Sequence, residues 1–199
     1  MQGEDVSSLM VHFSLKTVTR EHQSNPNREP IEKYLVVRKV KSYLTHPDYS
    51  GSGSYDLAVL MLETEAPADA VPVTLLPAAY VNEAAGQTTF EGQNLPVVLM
   101  GFGLVKENPM TRTDVLRQTT VPSKFFNRFV VTDQTKGSGG CNGDSGGPAF
   151  LTHNNVVYQV GVTHGPHGSS TTCREQGEWY NPSFDKGFLQ RAQDQLKTQ

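Results

Sequence analysis

The run Cys141-Asn142-Gly143-Asp144-Ser145-Gly146-Gly147-Pro148 is the part of this sequence best suited to chemistry. A serine set between glycines suits a nucleophile. The bare neighbours let the backbone turn sharply and let a substrate carbonyl come close. The backbone N–H groups of Gly143 and Ser145 could then face one point, as a developing oxyanion requires. A bare Gly-x-Ser-x-Gly would as readily be a glycine-rich turn that contains a serine. The eight-residue run is far more specific than that.

Such a run needs elements that hold it, and the sequence reads as antiparallel all-β. Short apolar stretches rich in Val, Leu, Tyr and Phe fall at residues 9–15, 34–44, 57–62, 97–102, 129–132 and 156–162, with Gly, Pro, Asn and Ser between them. A hairpin is expected where residues 148–151 and 156–158 flank Asn154-Asn155, because Asn tolerates the positive φ of a tight turn. Residues 20–30 (REHQSNPNREP) read as a long surface loop, and residues 66–95 as a connection between two halves. Phe184, Phe188, Leu189, Ala192 and Leu196 recur at helical spacing, which predicts a terminal helix over 185–197.

The serine run resembles the trypsin/chymotrypsin family of serine peptidases, and other stretches resemble it in the same order. His46-Pro47-Asp48-Tyr49 followed by Tyr55-Asp56-Leu57-Ala58-Val59-Leu60 is similar to the segment around the family's catalytic acid. Gly101-Phe102-Gly103 and Leu116-Arg117-Gln118-Thr119-Thr120-Val121-Pro122 resemble the opening of its second barrel. Val160-Gly161-Val162-Thr163-His164-Gly165 resembles the strand bordering its substrate cleft. The resemblance runs from about Ser8 to the C-terminus. It implies a double antiparallel β-barrel with an incomplete N-terminal barrel and a C-terminal α-helix. The expected division is 1–92 for the first barrel and linker, 93–182 for the second barrel and 183–199 for the helix.

The resemblance also implies roles. Ser145 is the nucleophile, Asp56 the acid that orients the base, and Gly143 and Ser145 supply the oxyanion hole. Asp144 is the acid that pairs with an amino terminus freed by activation. Cys141 and Cys173 form a disulfide beside the primary pocket. Gly139 and Gly140 line that pocket, His164 borders the cleft, and Gly165 leaves its entrance open. Two readings stay open for His164: a ring that packs there, or a titrating contact to substrate. A basic-residue-specific member would carry Asp at the place of Gly139. Apolar or aromatic substrates are therefore expected, unless a carboxylate such as Glu175 or Glu178 reaches the pocket. His164, His167 and Cys173 could suggest a metal, but no metal and no cofactor are expected.

One family feature has no counterpart. The base is a His followed at once by Cys, and none of the six histidines has that context. His12 is tempting by its distance from Asp56, yet its surroundings resemble a barrel-wall strand. The family's base would fall just before Met1. The expectation is a stretch of a serine endopeptidase that begins after its base, inactive as it stands, poorly soluble or partly unfolded alone, and with Asp144 lacking its partner. The alternative is a catalytically dead relative acting as a binding or regulatory module. Losing the His of such a site costs about 10⁶ in turnover.

Composition narrows the classes further. With 199 residues, 36% hydrophobic and only 2 Cys, the chain is neither disordered nor a disulfide miniprotein. A net charge of −3 offers no basic face for nucleic acid. No apolar run approaches the roughly 18 residues of a membrane span. An α/β-hydrolase elbow would also fit the serine run, but that fold needs alternating helices and more chain after the serine. Polypeptide substrates, protein protease inhibitors and a monomeric state are expected. Without a secretory signal in the chain, an extracellular or periplasmic place is expected only of the longer protein.

Overall fold

Alternation of inward apolar and outward polar side chains, the period-two signature of a half-buried strand, builds most of this molecule. The computed structural model describes residues 6, 8–14, 36–51 and 53–198. A three-stranded antiparallel sheet comes first, from β1 (Met10–Phe13), β2 (Val36–Thr45) and β3 (Ala58–Leu62), in the order β1-β2-β3. His12 pairs with Val37 in this sheet and is exposed on its wall. The loop expected over residues 20–30 lies outside the described residues.

The second half is a closed barrel. β7 (Asn94–Gly101), β8 (Arg117–Phe126), β9 (Phe129–Asp133), β12 (Gln176–Tyr180), β11 (Val156–Pro166) and β10 (Pro148–His153) pair in that order, and β10 returns to β7. Closure leaves these strands no free edge. Val97, Leu99, Val121, Phe125, Val130, Ala149, Leu151, Val160 and Trp179 fill the interior. The β10–β11 turn has Asn154 at φ 50° and Asn155 at φ 61°, the left-handed pair that a two-residue hairpin turn demands.

Residues 66–95 do more than connect. β4 (Thr74–Leu75) adds to β11 in parallel, and β5 (Val81–Asn82) pairs with β6 (Gln87–Thr88). Leu76 and Phe90 are buried in the barrel's own core. These two anchors have no periodic company, which is why the stretch carries no strand or helix pattern. A 3₁₀ turn, Pro182–Asp185, leads into α1 (Lys186–Lys197), whose Phe188, Ala192 and Leu196 form the buried stripe. Phe184 is buried in the turn rather than in the helix.

Trp179 sets the tightest packing constraint. A Cβ on Gly161 or Gly177 would lie 2.5 Å from its side chain, and one on Gly140 would lie 2.9 Å away. The indole therefore occupies volume that three glycines vacate. Gly161→Ala is expected to lower stability by about 1–3 kcal/mol through overpacking. Gly165→Ala, where a Cβ meets nothing within 4 Å, should leave it within about 0.5 kcal/mol. Urea denaturation of the two variants checks the contrast.

Candidate active site

The serine run is a set of turns at the end of the Cys141–Cys173 disulfide, whose Cα atoms are 5.1 Å apart. Gly143 (φ +97°) and Gly146 (φ +78°) bracket the turn in backbone conformations that side chains resist. The N–H of Gly146 donates to Thr163 O (3.0 Å), and Thr163 N–H donates to Gly147 O (2.8 Å), which sews the run to β11. Ser145 and Gly143 are exposed. Among the described residues, neither of their N–H groups donates to a protein acceptor. Two uncommitted donors beside an exposed hydroxyl are what stabilisation of an oxyanion needs.

Asp144 explains why those donors are free. Its Oδ1 accepts the N–H of Gly103 (2.8 Å) and its Oδ2 accepts the N–H of Cys141 (2.9 Å). Two backbone amides thus take up the acid. Space for it is made by glycine. A Cβ on Gly101 would sit 1.9 Å from Oδ1, and a Cβ on Gly103 would sit 2.3 Å from Oδ2. A cavity of about 210 Å³ adjoins Asp144 and includes Gly101, Gly103, Gly139, Gly140 and Trp179 in its wall.

The cleft beside Ser145 is a separate cavity of about 80 Å³. Gly140, Cys141, Cys173 and Gly165 line it, together with Gln134 and Glu107. Gly139 lies in the wall of the Asp144 cavity and not in that of this cleft. The reason is Gln134, whose amide stands where a Cβ on Gly139 would project, 2.0 Å from its Oε1. Gln134 is buried, accepts Gly140 N–H at 2.5 Å, and donates to Gly140 O and Cys173 O. Glu175 and Glu178 are not in the cleft wall. Glu175 accepts Thr171 N–H (2.8 Å), and Glu178 meets His167 Nδ1 at 2.5 Å. Neither Gln134 nor Glu107 carries a motif that could have identified it.

Asp56 reaches the second barrel from the loop before β3. The preceding Tyr55 is left-handed (φ 62°), a conformation that costs energy for a bulky residue. Its ring is held in compensation. It stacks on His46 at 4.7 Å, and the Arg128 guanidinium lies 5.4 Å above it. His46 is itself fixed: Nδ1 accepts Asp48 N–H (3.2 Å), and Nε2 lies 3.5 Å from buried Asp185. Arg128 Nη1 lies 3.6 Å from the same carboxylate, and Tyr180 donates to it. This network joins the first sheet, the barrel and the 3₁₀ turn, and it aims the next residue, Asp56, at β11.

There Asp56 Oδ2 meets His164 Nδ1 at 2.7 Å. The structure thus brings His164 to the acid. Gly53 lets the loop approach, since a Cβ there would be 2.5 Å from Glu178 Oε1 and 3.0 Å from the His164 ring. Among the described residues, no imidazole hydrogen-bonds Ser145. His164, His167 and Cys173, weighed above as metal ligands, are engaged with Asp56, Glu178 and Cys141 respectively.

A family model described as Trypsin matches residues 11–183. The chain is 32% identical over 141 residues to a brachyurin of Leptuca pugilator, covering 65% of this chain and 58% of that protein. It is 28% identical over 172 residues to a venom protease of Bombus pensylvanicus, covering 79% and 68%. It is 27% identical over 169 residues to chymotrypsin-like elastase family member 1 of Bos taurus, covering 76% and 59%. The chain thus spans less than two thirds of the brachyurin and of the elastase-family protein.

The network beneath Asp56 has a measurable signature. Burial, and then the hydrogen bond to Asp185, push the Tyr180 phenol well above the usual tyrosine range. The neutral phenol is therefore favoured in the folded state. Its contribution is complete below about pH 10, the unfolded value, and is lost as pH rises toward the folded one. Melting temperatures should fall above about pH 10, and fall less steeply in Tyr180→Phe.

Proposed function

The chain belongs to the trypsin family of serine peptidases, and on that premise we propose that it carries the nucleophile and the orienting acid of a peptide-cleaving site. Ser145 Oγ attacks the scissile carbonyl while an imidazole oriented by Asp56 takes its proton. The tetrahedral oxyanion accepts hydrogen bonds from the Gly143 and Ser145 N–H groups. The leaving amine receives the proton, and water then hydrolyses the acyl ester on Ser145. The observation that carries this reading is the pair of uncommitted N–H groups beside exposed Ser145. The disulfide supports an extracellular or periplasmic place for the protein. Its substrates are polypeptides, and protein protease inhibitors are natural partners of such a cleft.

A second reading has its own support. Asp56 Oδ2 is already engaged by His164, which suits a catalytically dead relative that binds polypeptide without cutting it. Among the described residues no imidazole hydrogen-bonds Ser145, and a site without one is expected to turn over about 10⁶-fold below a complete triad.

A fluorophosphonate applied to the protein as the organism makes it separates the readings. A live site labels at Ser145 and loses label in Ser145→Ala. In that protein Asp56→Asn should lower turnover about 10⁴-fold. A protein that folds, binds polypeptide and never labels is the binding module.

A further inference from the structure

Asn142-Gly143 is the sole Asn-Gly step in the sequence, and it lies inside the serine run. Asparagine is among the thermolabile residues, because the backbone nitrogen that follows it can attack its side chain. A C–N bond forms at Cγ, the amide C–N bond breaks, ammonia leaves, and a five-membered imide closes. Water then opens the imide at either carbonyl and gives aspartate or isoaspartate. A following glycine has no side chain to hinder the attack.

The fold leaves each reacting group available. Asn142 and Gly143 are both exposed. Among the described residues, the Gly143 N–H donates to no protein acceptor, and the Asn142 side-chain amide makes no hydrogen bond. Only the Asn142 carbonyl is tied, to Leu104 N–H at 2.9 Å. Other asparagines are placed differently. Asn82 Oδ1 accepts Ala85 N–H (3.2 Å), and buried Asn181 accepts Ser183 N–H (3.0 Å). Asn127 and Asn155 precede Arg128 and Val156, whose side chains crowd the nitrogen that would attack.

We propose that Asn142 is a self-modifying site, at which the Gly143 nitrogen displaces ammonia from the side-chain amide with water as the only further reagent. The modification stands on the geometry alone. Its consequence for turnover rests on the reading of Gly143 as an oxyanion donor. In the imide that nitrogen carries no hydrogen, so one donor is lost while Ser145 keeps its hydroxyl and its own N–H. Isoaspartate restores the N–H but adds a methylene to the backbone before it, which displaces the donor. Losing one such donor lowers turnover about 10²–10³-fold.

The test keeps the folded full chain in warm, mildly alkaline buffer and maps its peptides by mass spectrometry over time. Loss of ammonia, and then an acid in place of the amide, should appear at Asn142 before any other asparagine. The rate should rise with pH, because the attacking nitrogen must give up its proton. Asn142→Gln, whose amide would have to close a six-membered ring, should stay unmodified at that position, and melting curves show that each protein is folded. No conversion at Asn142, or earlier conversion at another asparagine, overturns the proposal. Fluorophosphonate labelling of Ser145, in the protein as the organism makes it, is followed over the same period. The imide-bearing fraction should label about 10²-fold or more slower, while Asn142→Gln keeps its starting rate. Conversion without slower labelling keeps the modification and removes Gly143 as a donor. Conversion in a protein that never labels keeps the modification and removes the peptidase.

Discussion

One carboxylate shapes the serine run. Asp144 is half-buried, and a charge in that position must be satisfied. It takes the N–H groups of Gly103 and Cys141, which ties the end of β7 to the start of the run. Gly101 and Gly103 are bare because a Cβ at either would overlap the acid. With Cys141 fixed on one side by Asp144 and by its disulfide, and Gly146 and Gly147 fixed on the other by Thr163, the turn between them has little freedom left. Among the described residues, the N–H groups of Gly143 and Ser145 are left without a protein acceptor.

The acid that would orient a base is supplied by the other half of the molecule, so its position depends on an interface. Asp185 is the hub. His46, Arg128 and Tyr180 converge on it from three elements, and the aromatic stack on His46 holds Tyr55 in its left-handed turn. A buried carboxylate with this many partners is costly to disturb, since removing one partner leaves the charge uncompensated. The pairing of Asp56 with His164 then closes the interface at the edge of the cleft. Any imidazole that is to be oriented by Asp56 for Ser145 must share or displace that contact.

Much of this was legible in the residues. The serine run, the Asn154-Asn155 hairpin, the helical stripe and most of the strands rest on local pattern, where adjacent residues report on one another. The Cys141–Cys173 pairing was available through resemblance, not through spacing. What escaped were contacts between distant loops. Glu107 lies 66 residues from Cys173 along the chain, and nothing in its neighbours marks it as part of a cleft. Gln134 reads as an ordinary polar residue after a strand, yet it stands where a side chain on Gly139 would project. The backbone amides that take up Asp144 carry no signature in a sequence. His164 was assigned to the cleft from its strand, and the contact with Asp56 depends on how the 50–56 loop packs.

The most direct measurement is amide hydrogen exchange on the chain, read residue by residue by NMR. If Asp144 closes the run as described, the Gly103 and Cys141 amides exchange slowly. Gly143 and Ser145 then exchange at near-solvent rates, because among the described residues their N–H groups have no acceptor. Fast exchange at Gly103 and Cys141 together with protection at Gly143 and Ser145 would mean that the oxyanion donors are spent inside the protein, and the active-site geometry argued for Ser145 would be wrong.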